Sequence, residues 1–183
     1  MNSKFVRMVF PALLLGATAI AGSAVVSAQS ITSHNSNAPV DYSADRIELQ
    51  DRQSRVVLSG NVRINQGGLN MSAARTTVAY TNNGSLQIQR IDATGGVTVT
   101  KGNERASGNV AVYDFNRRII TVVGNVALRR GSDTLNGGRL VIDLRTGLST
   151  IDGRSSGGAS GSTGSTGSDG RVSGTFSVPE GEN

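Results

Sequence analysis

The 183 residues carry 18 basic and 13 acidic side chains, 24 glycines, one histidine, no cysteine and no tryptophan. With one histidine and no thiol, neither a Ser-His or Cys-His nucleophile pair nor a zinc cage of the usual type can be assembled, so no metal, no cofactor and no enzyme are expected. Aromatics make up only 4% of the chain, too few for a thick sandwich core, and a stack of short strands with a narrow interior suits that poverty better.

Residues 1–28 read as a secretory signal peptide: Lys4 and Arg7 at the head, an apolar stretch from Val9 to Ala21, then Val26-Ser27-Ala28 as small cleavage-type residues before Gln29. The alternative is an uncleaved membrane anchor, but Pro11, Gly16, Thr18, Gly22 and Ser23 interrupt the apolar run. Residues 29–37 form a polar, flexible leader in which the single histidine, His34, is expected to be solvated.

From residue 38 to 153 one unit repeats. Gly60-Asn61-Val62, Gly95-Gly96-Val97 and Gly124-Asn125-Val126 open three copies, and seven residues after each opening glycine stands another: Gly67, Gly102, Gly131. Positions sixteen, eighteen and twenty read Thr76-Val78-Tyr80, Ala111-Tyr113-Phe115 and Leu140-Ile142-Leu144, and Tyr42 to Leu49 is a half copy. Apolar residues alternate with polar or small ones (Val62 and Ile64, Val97 and Val99, Val126 and Leu128), the two-residue period of half-buried strands. Gln66-Gly67-Gly68, Lys101-Gly102-Asn103 and Arg130-Gly131-Ser132 are turn chemistry between them. The chain is therefore all-β, built of strand pairs that need their neighbours to cover an apolar face. Small residues in interior columns (Ala44, Ala73, Ala106, Gly108, Gly137) are expected to leave space between sheets, or else to let backbones pack closely. Asp114 and Asp143 share a column that falls on the outer face, where solvation explains them.

Residues 154–170 are Gly, Ser and Thr with few exceptions, a flexible linker. In the tail, 171–183, Val172, Phe176 and Val178 alternate. They read either as a strand that adds to its own terminal edge or to a partner's, the partner contact being favoured, or as plain disorder. Without Lys4 and Arg7 the charge balance is 16 against 13, and Lys101 is the one lysine among the 16. Arginine forks suit phosphate groups, though a solvated β-surface explains them equally. Scattered single and paired arginines argue against nucleic acid.

Pro39-Val40-Asp41-Tyr42-Ser43-Ala44-Asp45-Arg46 resembles the opening strand of the OstA-like (LptA) family. Ser59-Gly60-Asn61-Val62-Arg63-Ile64-Asn65-Gln66-Gly67 resembles its most recognisable segment, and Val123-Gly124-Asn125-Val126-Ala127-Leu128 repeats the phrase. Gly96 departs from the pattern, which would have Asn there, and the linker and tail have no place in it. The resemblance covers residues 38–153. It implies a slightly twisted, open β-jellyroll, two antiparallel sheets in a V with an apolar interior. It also implies a periplasmic carrier of lipopolysaccharide whose lipid A chains lie in that groove, self-associating head to tail. Its partners would be the inner-membrane-anchored and outer-membrane transport proteins with related domains. The residues expected to line the groove and touch acyl chains are Val40, Tyr42, Ile64, Met71, Val99, Tyr113, Phe115, Leu128 and Ile142. Two alternatives stand beside this reading: a structural β-solenoid polymer without lipid, and the inner-membrane-anchored relative of the same machine.

Overall fold

The computed structural model describes residues 34–153 and 170–177. The assigned signal peptide, most of the linker, and the tail from Val178 onward lie outside the described residues. Ten antiparallel strands follow in chain order: β1 (Val40–Ser43), β2 (Arg46–Gln50), β3 (Arg55–Gln66), β4 (Leu69–Asn82), β5 (Leu86–Lys101), β6 (Glu104–Asp114), β7 (Ile119–Arg130), β8 (Asp133–Asp143), β9 (Ser149–Asp152) and β10 (Ser173–Thr175). One 3-10 turn, Asp51–Gln53, joins β2 to β3.

The repeated glycine phrase sits in the middle of strands, not in their turns. At each copy two residues of one strand oppose a single residue of the next. Gly60 and Asn61 stand opposite Ala74, Gly95 and Gly96 opposite Asn109, Gly124 and Asn125 opposite Gly138. These are β-bulges, and they bend a strand sharply. All six bulge residues have positive φ, from 46° at Asn61 to 82° at Gly95. Asn is the non-glycine residue most at ease there, which explains why Asn61 and Asn125 occupy the position that Gly96 fills in the second copy.

The bends fold one hydrogen-bonded ladder into two leaves. In the first leaf β1 pairs with Arg63–Gln66 and β10 with Thr134–Asn136. In the second leaf β2 pairs with Arg55–Ser59 and β9 with Arg139–Ile142. Every strand from β3 to β8 gives its two halves to the two leaves. The result is the open β-jellyroll, whose ends carry different edge strands: β1 and β2 at one, β9 and β10 at the other.

The alternation predicted inward faces correctly. Val62, Ile64, Met71, Val97, Val99, Ala106 and Leu128 line the first leaf's inner face, and Ala111, Tyr113, Ile120, Leu140 and Ile142 the second's, all at most 5% exposed. The inward glycines make no space, contrary to one of the two expectations. A methyl group on Gly108 would lie 2.5 Å from Val122 Cγ1, and one on Gly137 2.5 Å from Ile151 Cγ2. These glycines exist for close approach, and the centre of the interior is packed shut. The tail forms a strand on its own chain's β8, one of the two strand positions expected for it.

Bulge and turn glycines differ in surroundings. A side chain on Gly124 would meet Asn109 Nδ2 at 2.6 Å, whereas one on Gly131 has nothing within 4 Å, and both have positive φ. Gly131→Ala should therefore cost about 1–2 kcal/mol, the left-handed backbone term alone. Gly124→Ala should cost at least about 1 kcal/mol more, since Asn109 must also move. Urea denaturation of the two variants reads the difference, and equal losses would contradict the bulge's role.

Candidate functional site

The interior between the leaves opens into apolar space at each end. At the β1 end a cavity of about 80 Å³ lies among Val40, Tyr42 and Ile64 of the first leaf and Leu58, Val78 and Leu86 of the second. At the opposite end a larger space of about 390 Å³ lies among Leu128, Leu135, Leu148 and Ile151, with Val172 and Phe176 of the tail along it. Phe176 is 64% exposed and Leu148 65%, so this end carries uncovered apolar surface. Gly174 lets β10 come close, since a side chain there would lie 2.5 Å from Leu135 Cδ2. Asp133 Oδ1 accepts the Ser177 N–H at 2.9 Å and holds the strand's far end.

The nine residues expected to line a groove fall into three groups. Ile64, Met71, Val99, Tyr113, Leu128 and Ile142 are buried between the leaves. Val40 and Phe115 are half-buried against that cluster. Tyr42 is 54% exposed because it stands on the edge strand at the mouth of the β1-end cavity, with no further strand to cover it. Tyr113 and Phe115 stack, ring centroids 4.0 Å apart at 23°.

His34, expected in solvent, is 9% exposed. Its Nε2 lies 3.0 Å from Gln66 Oε1, which also accepts the Tyr113 hydroxyl at 3.0 Å. An acceptor there assigns the imidazole proton to Nε2 and leaves Nδ1 buried without a partner among the described residues. Gln66 Nε2 donates to the carbonyls of Ser36 and Ala38, both at 3.0 Å, and Arg118 Nη2 donates to Asn37 Oδ1 at 3.3 Å. Residues 34–38 thus run as a strap from the turn at Gly67, in the first leaf, to Tyr113 and Arg118 in the second. Burial holds the His34 imidazole below its ordinary pKa, the Gln66 hydrogen bond opposing and the charge of Lys101 adding to the effect. Burial likewise pushes the Tyr113 phenol up.

Sequence reading missed Gln66 and Glu104, each 2% exposed. Both stand one step along an inward column, Gln66 after Val62 and Ile64, Glu104 before Ala106, so the alternation itself places them inside. Glu104 faces Arg130 across the β6–β7 pair and binds its guanidinium at 2.5 Å. Asp114 and Asp143 do work beyond solvation: their carboxylates cap turns, accepting the N–H groups of Arg117 and of Arg145 and Thr146. Those backbone bonds, Arg145's first, hold the Asp143 carboxyl below the usual range.

Comparison with known proteins bears directly on this arrangement. Residues 42–148 match the family model described as LptA/(LptD N-terminal domain) LPS transport protein. An uncharacterized protein of Rhizobium meliloti (strain 1021) is 27% identical over 149 residues, covering 75% of this chain and 80% of its own. The crystal structure of LptH, the LptA-homologous periplasmic component of the lipopolysaccharide transport device of Pseudomonas aeruginosa, superposes with a TM-score of 0.66. It is 18% identical and covers 80% of this chain and 99% of its own.

The buried imidazole makes the strap acid-sensitive. A histidine whose folded pKa is depressed stabilises its docked state above the ordinary value near 6.5, and that contribution fades as pH falls below it. Protection of the residue 35–38 amides against hydrogen exchange, relative to their intrinsic rates, should fall as pH drops below about 6.5 in the parent. In His34→Phe the same residues should lose that step, and a parent profile flat across the range would show that His34 does not hold the strap.

Proposed function

Because this chain belongs to the LptA/(LptD N-terminal domain) family of LPS transport proteins, and so takes part in lipopolysaccharide transport, we propose that it is a periplasmic lipopolysaccharide carrier. In this reading the leaves hold the acyl chains of lipid A between them, and copies join head to tail into a bridge. The bridge links inner-membrane-anchored and outer-membrane transport proteins with related domains, and the exported form begins after residue 28. The observation that carries the reading is an apolar interior bounded by two leaves, with apolar space at both ends and different edge strands there. Acyl chains need a water-free path and no catalytic group, which is what such an interior offers.

The packed centre adds a requirement. Val99, Ala106, Ala111, Ile120 and Val122 are fully buried, so chains can pass only when the leaves part. The bulges are the natural hinge, since each leaf pivots about backbone that is already bent. At the joints, edge strands present unpaired N–H and C=O groups that another copy's edge can complete. A head-to-tail contact of this kind is heterologous and propagates. On the first leaf β10 occupies the β8 edge that an incoming strand would use, so the tail competes with growth.

Two experiments test the reading. Photocrosslinkers at Tyr113 and Phe115 should capture lipopolysaccharide while one at the intervening Asp114 should not, and equal capture at all three would refute the groove. Deleting residues 170–183 should lengthen the oligomers seen by light scattering, and shorter oligomers would make the tail a partner contact instead of a cap.

A further inference from the structure

The outward faces of the two leaves differ in chemistry. On the second leaf, the outward positions mix β-branched residues such as Val112, Ile119 and Val141 with charges of both signs, among them Arg46, Glu48, Arg90 and Asp92. On the first leaf, two neighbouring rows cross all the strands in register. One runs Ser43, Arg63, Ser72, Thr98, Ser107 and onward to Ser173; the other runs Asn65, Asn70, Thr100, Arg105, Arg129 and onward to Thr175. Apart from Ala127 and, at the β1 edge, Asp41, every side chain in these rows is a hydroxyl, an amide or a guanidinium. Outward position alone does not explain this, since the second leaf's outward positions are not so composed.

Asp41 is the one carboxylate in these rows, against three guanidinium groups, those of Arg63, Arg105 and Arg129. Arg105 and Arg129 stand directly opposite each other on β6 and β7, a like-charge cross-strand pair of the kind that destabilises a sheet. Arg105 Nη2 donates to Thr98 Oγ1 at 3.2 Å, a neutral partner that leaves the charge in place. The ion pairs found among the described residues, Arg46–Glu48, Arg90–Asp92, Arg130–Glu104 and Arg145–Asp143, all lie off these rows. The face is also indented. Three adjoining depressions of about 530, 480 and 250 Å³ run across it, the first two sharing Arg63 and Ser72, the last two sharing Arg105.

We infer that the outer face of the first leaf binds an anionic glycan, a sugar chain carrying phosphate or carboxylate groups. Guanidinium forks take oxyanions with paired hydrogen bonds, and the flanking hydroxyls and amides match sugar hydroxyls. No aromatic ring stands in either row, and Tyr42, at the β1 margin of the 480 Å³ depression, is the single aromatic residue lining the three. Arg63 lies three strands and two residues along from Arg105, about 16 Å at the ordinary strand spacing and rise, so a glycan lying obliquely across the strands meets both. Bound anions would also relieve the Arg105–Arg129 repulsion.

The test uses the full exported chain with phosphorylated dextran, neutral dextran of equal length, and vesicles containing phosphatidylglycerol, read by fluorescence anisotropy. Phosphorylated dextran should bind at least tenfold more tightly than neutral dextran and should weaken with salt. Arg105→Ser/Arg129→Ser should lose at least tenfold in affinity, while Arg46→Ser/Arg90→Ser, which removes equal charge from the other leaf, should not. Arg105→Glu should abolish binding and raise the melting temperature, because it turns the repulsive pair into an attractive one; that rise excludes misfolding as the cause. Equal losses in both double variants would reduce the effect to net charge and overturn the site. Binding to vesicles without binding to phosphorylated dextran would overturn the glycan assignment.

Discussion

Three pairs of left-handed residues, Gly60-Asn61, Gly95-Gly96 and Gly124-Asn125, govern this molecule. A strand of twelve to sixteen residues would otherwise continue as one twisted ribbon with a single inner face. The bulge inserts an extra residue on β3, β5 and β7, bends each there, and sends the second half of the strand into another leaf. The neighbouring strands answer with small or short residues, Ala74, Asn109 and Gly138, at the same level. Around the bends, contacts are tight: Asp45 sits against Gly60 and Asn109 against Gly124, at distances no added methyl could share. The hinge line is thus a backbone feature with side-chain locks, and the interior exists because of it.

Function follows from what the hinge encloses. The two leaves meet on aliphatic side chains along the centre and separate at both ends. The strap from His34 to Ala38 bridges them through Gln66, Tyr113 and Arg118, while β10 covers the first leaf's last edge. Each of these covers is small. The strap rests on a few hydrogen bonds, and β10 contributes three exposed residues. Neither is woven between other strands, which suits the proposed carrier, whose interior and edges others would have to reach.

The two outer faces add a second polarity to the fold. The interior is chiefly aliphatic, and the outer face of the first leaf is polar and cationic. One sheet can hold both chemistries because successive side chains point to opposite sides. Arg63 and Ile64 are neighbours in sequence yet lie on opposite surfaces of one strand.

Local pattern carried far in this chain. Period-two alternation placed Val62, Ile64, Val99, Tyr113, Leu128 and Ile142 inside, and glycine spacing marked the turns at Gly67, Gly102 and Gly131, because both depend on residues adjacent in sequence. The role of the Gly-Asn phrase could not be read that way. A positive-φ pair makes a turn or a bulge depending on what the next strand places opposite it. His34 was hidden for a related reason: nothing near it in sequence is apolar, and its burial depends on Gln66, 32 residues away, and Tyr113, 79 away. Whether Gly108 and Gly137 open space or close it depended on Val122 and Ile151 from neighbouring strands. The amino-acid sequence by itself determined the strands, their inner faces and their turns, since side-chain alternation and backbone freedom are local properties. Only the tertiary structure decided where the strands bend, what crosses between the leaves and which edge the tail covers, because each requires two distant segments to meet.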